Sequence, residues 1–394
     1  MPSYIDPEGF EPGQLQRKGF GLKDQIRDDL TRDYYSKIVE QIIASDYEHH
    51  DKGISFHLAK SFGFCYGVDR AVDMAYETHK RFPDRKIYLT AEIIHNPRVS
   101  ENLEKMGVEF LTDYQKVQRE DVVLLPAFGA TMGQIERLRE KGCLLVDTTC
   151  GSVLSVWKRV EGYAEDGFTS VIHGKYYHEE TQATSSRVLG YPKGTYLVVL
   201  NMDETRYVCD YIRHGGDREA FLKKFSKGVS AGFNPDEDLK KVGVANQTTM
   251  LMSESLAIAA EIKKAMIDRY GQPHVDAHFR NFDTICSATE DRQVAMLELT
   301  KKPLDIMMVV GGFNSSNTAN LSAIASKAAT AYHISDVSDL ISNSQIRHKP
   351  AGKFDPIVTD NWLPAGPLQI GITSGASTPN QVLGGVIERI LSFR

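Results

Sequence analysis

Apolar and polar positions along this chain fall into two alternating rhythms. Short apolar runs predict buried strands at 86–89, 122–125, 144–146, 170–172, 195–200, 242–245, 306–310 and 368–372. Between many of them the apolar spacing becomes i, i+3, i+4, i+7, which lays one apolar stripe along a helix. Val68, Ala71, Val72 and Ala75 follow it, as do Val153, Val156, Trp157 and Val160. Strands that alternate with helices predict an α/β protein built on mostly parallel sheets. Ahead of this pattern, Ile26, Leu30, Tyr34, Ile38 and Ile42 predict a helix over 24–45, packed on the outside of the body within an extension of residues 1–52. Two stretches break the rhythm and read as surface insertions: the charged segment 203–241, and 342–367 with Pro350, Pro356, Pro364 and Pro367.

Polar clusters recur just after the strands. They are His95-Asn96-Pro97, Phe128 to Thr131, His173 to Thr184, Gln247 to Thr249, Asn314 to Asn317 and Ser374 to Ser377. Ligands of open α/β sheets collect at the carboxyl ends of strands, so these clusters predict one shared central site. Three cysteines have the same placement. Cys65, Cys150 and Cys286 each stand where an apolar run gives way to a helical pattern, in SFGFC-YGVDRAV, LLVDTTC-GSVLSVW and FDTIC-SATEDRQ. Each sulfur is therefore expected at a helix N-terminus, where the dipole favours thiolate. The three lie 85 and 136 residues apart, which matches no zinc-finger or CxxC spacing. Three thiols from three similar units can hold a metal centre and leave one position open. An iron–sulfur cubane normally takes four cysteines, so three leave one iron free. Cys143 and Cys209 lack this context and read as small buried hydrophobes.

Composition narrows the function classes. In 394 residues, 41% are hydrophobic and 25% charged, with a net charge of −6. No basic stripe points to nucleic acid, and no apolar run approaches the roughly 18 residues of a membrane span. The opening MPSYIDPEGFEPGQ lacks the basic and apolar regions of a secretory signal. Five cysteines, an odd number, do not form a disulfide framework, and a reducing compartment such as a cytoplasm fits free thiols.

Two further features carry chemistry. In HGKYYHEETQAT, His178 and Glu180 are two apart, so an extended segment faces both the same way. A buried carboxyl there can donate a proton, although a solvated acidic turn, with Glu179 adjacent, reads as well. GGFNSSN and TSGASTPN form a pair. Gly311 and Gly312 are expected to let the backbone approach a ligand. Ser315, Ser316 and Asn317 supply neutral donors at a helix start, and Thr378 with Pro379 is expected to cap a helix and bring Ser377 to the same mouth. Such helix starts bind phosphate without Lys or Arg; His95 is a candidate for the same anion. No Walker A sequence and no G-x-G-x-x-G is present.

The motifs FCYGVDRAV, EIIHNP, VDTTCGSV, HGKYYHEE, NQTTM, DTICSATEDRQ, VVGGFNSSNTANL and TSGASTPNQV run in order from about 60 to 390. In them the chain resembles the 4-hydroxy-3-methylbut-2-enyl diphosphate reductases, the IspH/LytB family of isoprenoid synthesis. The resemblance implies three α/β lobes in a pseudo-threefold arrangement of small, mostly parallel sheets around a central iron–sulfur site. The lobes are expected at 53–149, 150–283 and 284–394. It implies a [4Fe-4S] cluster on Cys65, Cys150 and Cys286 with one open iron. It implies diphosphate contacts from His95, His178, Ser315, Ser316, Asn317 and Ser377. Glu180 is the implied proton donor, and Thr248 the implied residue for orienting substrate and relaying the proton. The implied reaction removes the hydroxyl of an allylic diphosphate reductively, giving isopentenyl and dimethylallyl diphosphates.

The chain departs from the common pattern in two places. Ala127-Phe128-Gly129 stands where many bacterial members have A-H-G, which predicts packing for Phe128; His178-Glu179-Glu180 replaces H-P-E. The extension and insertions resemble the plant and cyanobacterial branch, which implies a ferredoxin- or flavodoxin-type electron donor and a bacterial cytoplasm or plastid stroma. Quinolinate synthase, another three-cysteine iron–sulfur enzyme, fits these motifs poorly. A non-catalytic iron–sulfur sensor has no need of Glu180 and Thr248, and zinc in place of the cluster is separated by metal analysis.

Overall fold

A computed structural model describes residues 9–282 and 284–394. Residues 1–8 of the opening segment and Asp283 of the FDTIC motif lie outside the described residues.

All eight predicted strands form, with ends within two residues of the expected ones. They belong to three mostly parallel sheets. The first runs, in spatial order, Leu15–Gln16, Leu144–Asp147, Val122–Leu125, Ile87–Leu89, Glu109–Phe110. The second runs Phe279–Asn281, Val242–Asn246, Thr169–His173, Tyr196–Val199. The third runs Thr330–Ile334, Ile306–Val310, Leu368–Ser374, Ile54–Leu58, Glu48–Asp51, with only the last pair antiparallel.

The unbroken apolar runs follow from burial on both faces. Side chains alternate across a strand, so Met308 and Val310 enter one core while Met307 and Val309 enter another on the opposite face. Val122 and Leu124 are divided from Val123 and Leu125 in the same way. All of these are fully buried, and each contributes about 1.5–3 kcal/mol of hydrophobic stabilisation. Covered faces leave the strand ends as the place where polar loops gather.

Three expectations change. The described part of the extension, residues 9–52, is tied into the body: Leu15–Gln16 pairs with Leu145–Val146. A break at Tyr35, with Ser36 as the next N-cap, divides the expected helix into Lys23–Tyr34 and Lys37–Ala44. Ile26 and Tyr34 join the core of the first sheet, and Val39 and Ile42 that of the third. Ile54–Leu58, grouped by sequence with 53–149, pairs with Leu368–Ser374 in the third sheet. The 203–241 segment is not a surface insertion: its helices Met202–His214 and Arg218–Lys224 bury Val208, Cys209, Ile212 and Phe221 against Met252–Tyr270. The 342–367 segment is partly superficial. It forms an antiparallel hairpin, Gln345–His348 with Ile357–Asp360, whose Ile357 and Val358 are exposed, while Ile346 and Trp362 reach the core.

Candidate functional site

Five helices begin at one cavity of about 100 Å³. Their N-cap residues are Cys65, Cys150, His178, Cys286 and Ser315, opening Tyr66–Arg81, Gly151–Glu165, Glu179–Val188, Ser287–Leu299 and Ser316–Ala325. All five caps line the cavity. A helix N-terminus carries about half a positive charge and unpaired N–H groups, so the convergence favours anions with few formal cations.

Cys65 follows Ile54–Leu58 of the third sheet, Cys150 follows Leu144–Asp147 of the first and Cys286 follows Phe279–Asn281 of the second, and all three meet in this cavity. Helix starts alone do not ionise Cys65 and Cys286. Burial pushes the Cys65 thiol up and the Cys286 thiol up to about 11, with Thr289 Oγ1 3.0 Å from its sulfur pulling the other way. The expected lowering is thus outweighed by desolvation; a bound cation inverts that balance and deprotonates a coordinating thiol. Cys143 and Cys209 are fully buried in apolar cores, pushed up to about 12, and take no part.

The donor set fits a polynuclear cluster better than a single ion. Tetrahedral zinc thiolates hold their sulfurs about 3.8 Å apart, given Zn–S bonds of about 2.3 Å. Among the described residues, the set of three ligand atoms all within 4.8 Å of one another is His95, His178 and Glu179, not the cysteines. Backbone space is kept for the sulfurs: a Cβ on Gly67 would lie 2.4 Å from Cys150 Sγ. Arg292, 4% exposed, donates to the carbonyls of Gly63 and Ala288 beside Cys65 and Cys286. It places a fixed cation behind two thiols.

Glu180 projects into the same cavity from the first turn of its helix. It is 2% exposed, and burial raises its carboxyl to about 7 against bonds from Thr248. Thr248 N–H donates to Glu180 Oε1 at 2.6 Å. His178 Nδ1 accepts from the Glu180 N–H at 3.1 Å, and burial lowers its imidazole to about 3. His178 is therefore neutral, with its proton on Nε2, a donor. The alternative of a solvated acidic turn applies to Glu179, which is half exposed, and not to Glu180.

The remaining wall carries donors on Ser315 and Asn317. Ser315 Oγ accepts from both the N–H and the hydroxyl of Thr318, which leaves its own O–H to give. Asn317 Oδ1 accepts from Ala376 N, while its buried Nδ2 has no protein partner. Ser377 and Ser316 line the same wall. His95 Nδ1 lies 3.1 Å from Glu92 Oε2, and its buried Nε2 has no hydrogen-bond partner in the protein. Phe128 packs as expected, stacked on the His95 ring at 4.6 Å and 13° and edge-on to His178 at 6.2 Å.

Two expectations differ in detail. Gly311 and Gly312 make room for protein, not ligand: a Cβ on Gly311 would lie 2.5 Å from Thr318 Oγ1, and one on Gly312 2.6 Å from the His95 carbonyl. Pro379, not Thr378, is the N-cap of Asn380–Ser392, and the Thr378 hydroxyl donates to Val310 O.

Arg292 and Glu92 were not singled out in the sequence. Both stand inside quoted motifs, six residues after Cys286 and three before His95. Burial pushes the Glu92 carboxyl up, but bonds from His95 and from Asn314 Nδ2 (2.7 Å) together bring it below its usual range.

Similar proteins share this architecture. Residues 56–391 match the family model described as LytB protein. A relative from Thermosynechococcus vestitus, named 4-hydroxy-3-methylbut-2-enyl diphosphate reductase, is 49% identical over 96% of this chain and 94% of its own. A solved (E)-4-hydroxy-3-methyl-but-2-enyl diphosphate reductase, described as the terminal enzyme of the non-mevalonate pathway, covers 86% of this chain and 99% of its own at a TM-score of 0.52 and 26% identity. The E-1-hydroxy-2-methyl-but-2-enyl-4-diphosphate reductase of Plasmodium falciparum, at 24% identity and a TM-score of 0.62 over 84% of this chain and 86% of its own, has the same fold. Match length, identity and coverage agree: the chain belongs to the LytB protein family.

Proposed function

We propose that this chain is a 4-hydroxy-3-methylbut-2-enyl diphosphate reductase. It takes the allylic alcohol diphosphate with two electrons and two protons to isopentenyl or dimethylallyl diphosphate and water. The observation that carries the reading is the meeting in one cavity of three thiols, a carboxyl raised to about 7 and the donors of Ser315, Ser316 and Asn317.

Cys65, Cys150 and Cys286 would hold a [4Fe-4S] cluster with one iron open. That group supplies single electrons and a Lewis-acidic site for the substrate oxygen. The protein's residues do the rest. Ser315, Ser316, Asn317, Ser377, His178 and His95 take the diphosphate, with the five helix starts favouring its charge. Glu180, half protonated near neutrality, donates the proton from a buried position. Thr248 fixes the Glu180 carboxyl through its backbone N–H and orients substrate with its hydroxyl. A ferredoxin- or flavodoxin-type carrier would deliver the electrons, in a bacterial cytoplasm or plastid stroma; among the described residues no helix is long and apolar enough to cross a membrane.

Anaerobic protein reconstituted with iron and sulfide should contain about four of each per chain, the cubane stoichiometry. With a reduced viologen it should consume the hydroxylated diphosphate and release both isomeric products. A protein that holds zinc alone, or a cluster without turnover, overturns the proposal.

A further inference from the structure

Ser316 differs from the other donors of the anion wall. Its hydroxyl oxygen accepts from Lys175 Nζ at 2.9 Å and from Gln247 Nε2 at 3.3 Å. A serine has one O–H to give and two lone pairs to receive. Both lone pairs are taken, so the remaining capacity of Ser316, which lines the cavity, is to donate into it. Lys175 can only donate, and the Gln247 amide is fixed in the same sense. Its Oε1 accepts from Lys175 N and Thr181 Oγ1, and its Nε2 also donates to Thr249 Oγ1. Ser316 and Gln247 are 3% and 2% exposed, so water does not compete for these bonds.

We infer that Lys175 is a positioning residue of the anion site: with Gln247 it turns the Ser316 O–H toward the diphosphate and adds a cation behind it. The inference rests on reading the cavity as a diphosphate site. A hydroxyl that receives from an ammonium is polarised and becomes a stronger donor to an anion. Lys175 comes from the second sheet and Ser316 from the third, so the bond also joins two walls of the site. Its stem is partly buried, and the Lys349 ammonium acts on it. Lys349 is itself engaged by the Phe313 carbonyl at 2.6 Å.

The test is binding of inorganic pyrophosphate to the cluster-loaded protein, read as Kd at several salt concentrations, for the parent, Lys175→Met, Lys175→Arg, Ser316→Ala and the Lys175→Met/Ser316→Ala double variant. Lys175→Met should weaken binding about tenfold or more and flatten its salt dependence, with cluster absorbance unchanged. Lys175→Arg should stay within about threefold of the parent, since it keeps charge and donors. In the Ser316→Ala background the lysine change should cost markedly less than in the parent, because the two residues act as a unit. Lys175→Met binding as tightly as the parent, or losses that simply add in the double variant, would overturn the inference while leaving the diphosphate reading intact. A parent that binds no pyrophosphate would overturn both.

Discussion

Replacing Glu180 by glutamine separates proton donation from every other property of the site. The amide has the same shape, keeps an oxygen to accept the Thr248 N–H now at 2.6 Å from the carboxylate, and has no proton to transfer. General acid catalysis by a positioned group contributes about a hundredfold to ten-thousandfold. Turnover in the viologen assay should fall by that much, with KM changed far less. In the parent, the protonated fraction falls about tenfold for each pH unit above 7, because the carboxyl sits at about 7. The parent's pH profile should therefore fall on its alkaline side, and the residual rate of Glu180→Gln should not follow it.

The same carboxyl makes a stability prediction of opposite sign. Its folded pKa is raised from 4.5 to about 7. A raised carboxyl favours the protonated folded state, so its contribution is fully present below pH 4.5 and is lost as pH rises through 7. The loss is about 3 kcal/mol, at about 1.4 kcal/mol for each pH unit between 4.5 and about 7. Glu180→Gln never ionises and avoids that loss. Anaerobic melting of both proteins from pH 5 to 8.5 should show the variant's Tm gaining on the parent's as pH rises. A variant that turns over substrate within threefold of the parent, or a Tm difference that does not change with pH, would refute the argument.

Two other substitutions probe the walls. Gly67→Ala puts a Cβ 2.4 Å from Cys150 Sγ, so the sulfur must move; iron and sulfide content should drop while far-ultraviolet circular dichroism keeps its native shape. Phe128→Ala removes the ring stacked 4.6 Å from His95; KM for the diphosphate should rise several-fold with a smaller change in kcat, and stability should fall by up to about 3 kcal/mol.

What could be read from the sequence was what local burial dictates. Runs such as Ile306–Val310 and Val122–Leu125 are apolar at every position because both faces are covered, and they stand out without knowledge of neighbours. Thr330–Ile334 escaped because its first residues are partly exposed and its alternation is blurred by Thr330 and His333. The partner of Ile54–Leu58 escaped for a different reason: Ile54 pairs with Leu368, and no local pattern encodes a contact that distant. In 203–241 the charges lie on the outer faces of amphipathic helices. Thr205, Val208, Cys209 and Ile212 already have helical spacing, but the surrounding charge hid it. The anion wall was legible as serines and asparagines after strands. Its polarity was not, because that depends on Thr318, Ala376 and Gln247 filling the acceptors.

That polarity decides which ligand the cavity prefers. Ser315, Ser316 and Asn317 have neutral side chains, each equally able to accept in isolation. Ser315 and Ser316 have both lone pairs taken, and Asn317 has its carbonyl oxygen engaged, so all three have donors left for the cavity. The helix starts add aligned N–H dipoles. The formal cations stand behind the walls, Lys175 on Ser316 and Arg292 on the carbonyls before Cys65. The same dipoles fail to ionise Cys65 and Cys286, since burial raises both thiols. A neutral thiol must lose its proton to bind metal, so metal loading of this cavity should release protons. Once the thiols are thiolates, the proposed site holds negative charge at both ends, metal and diphosphate. Five dipole ends and two set-back cations can offset both ends while no ammonium or guanidinium enters the space the substrate must fold into.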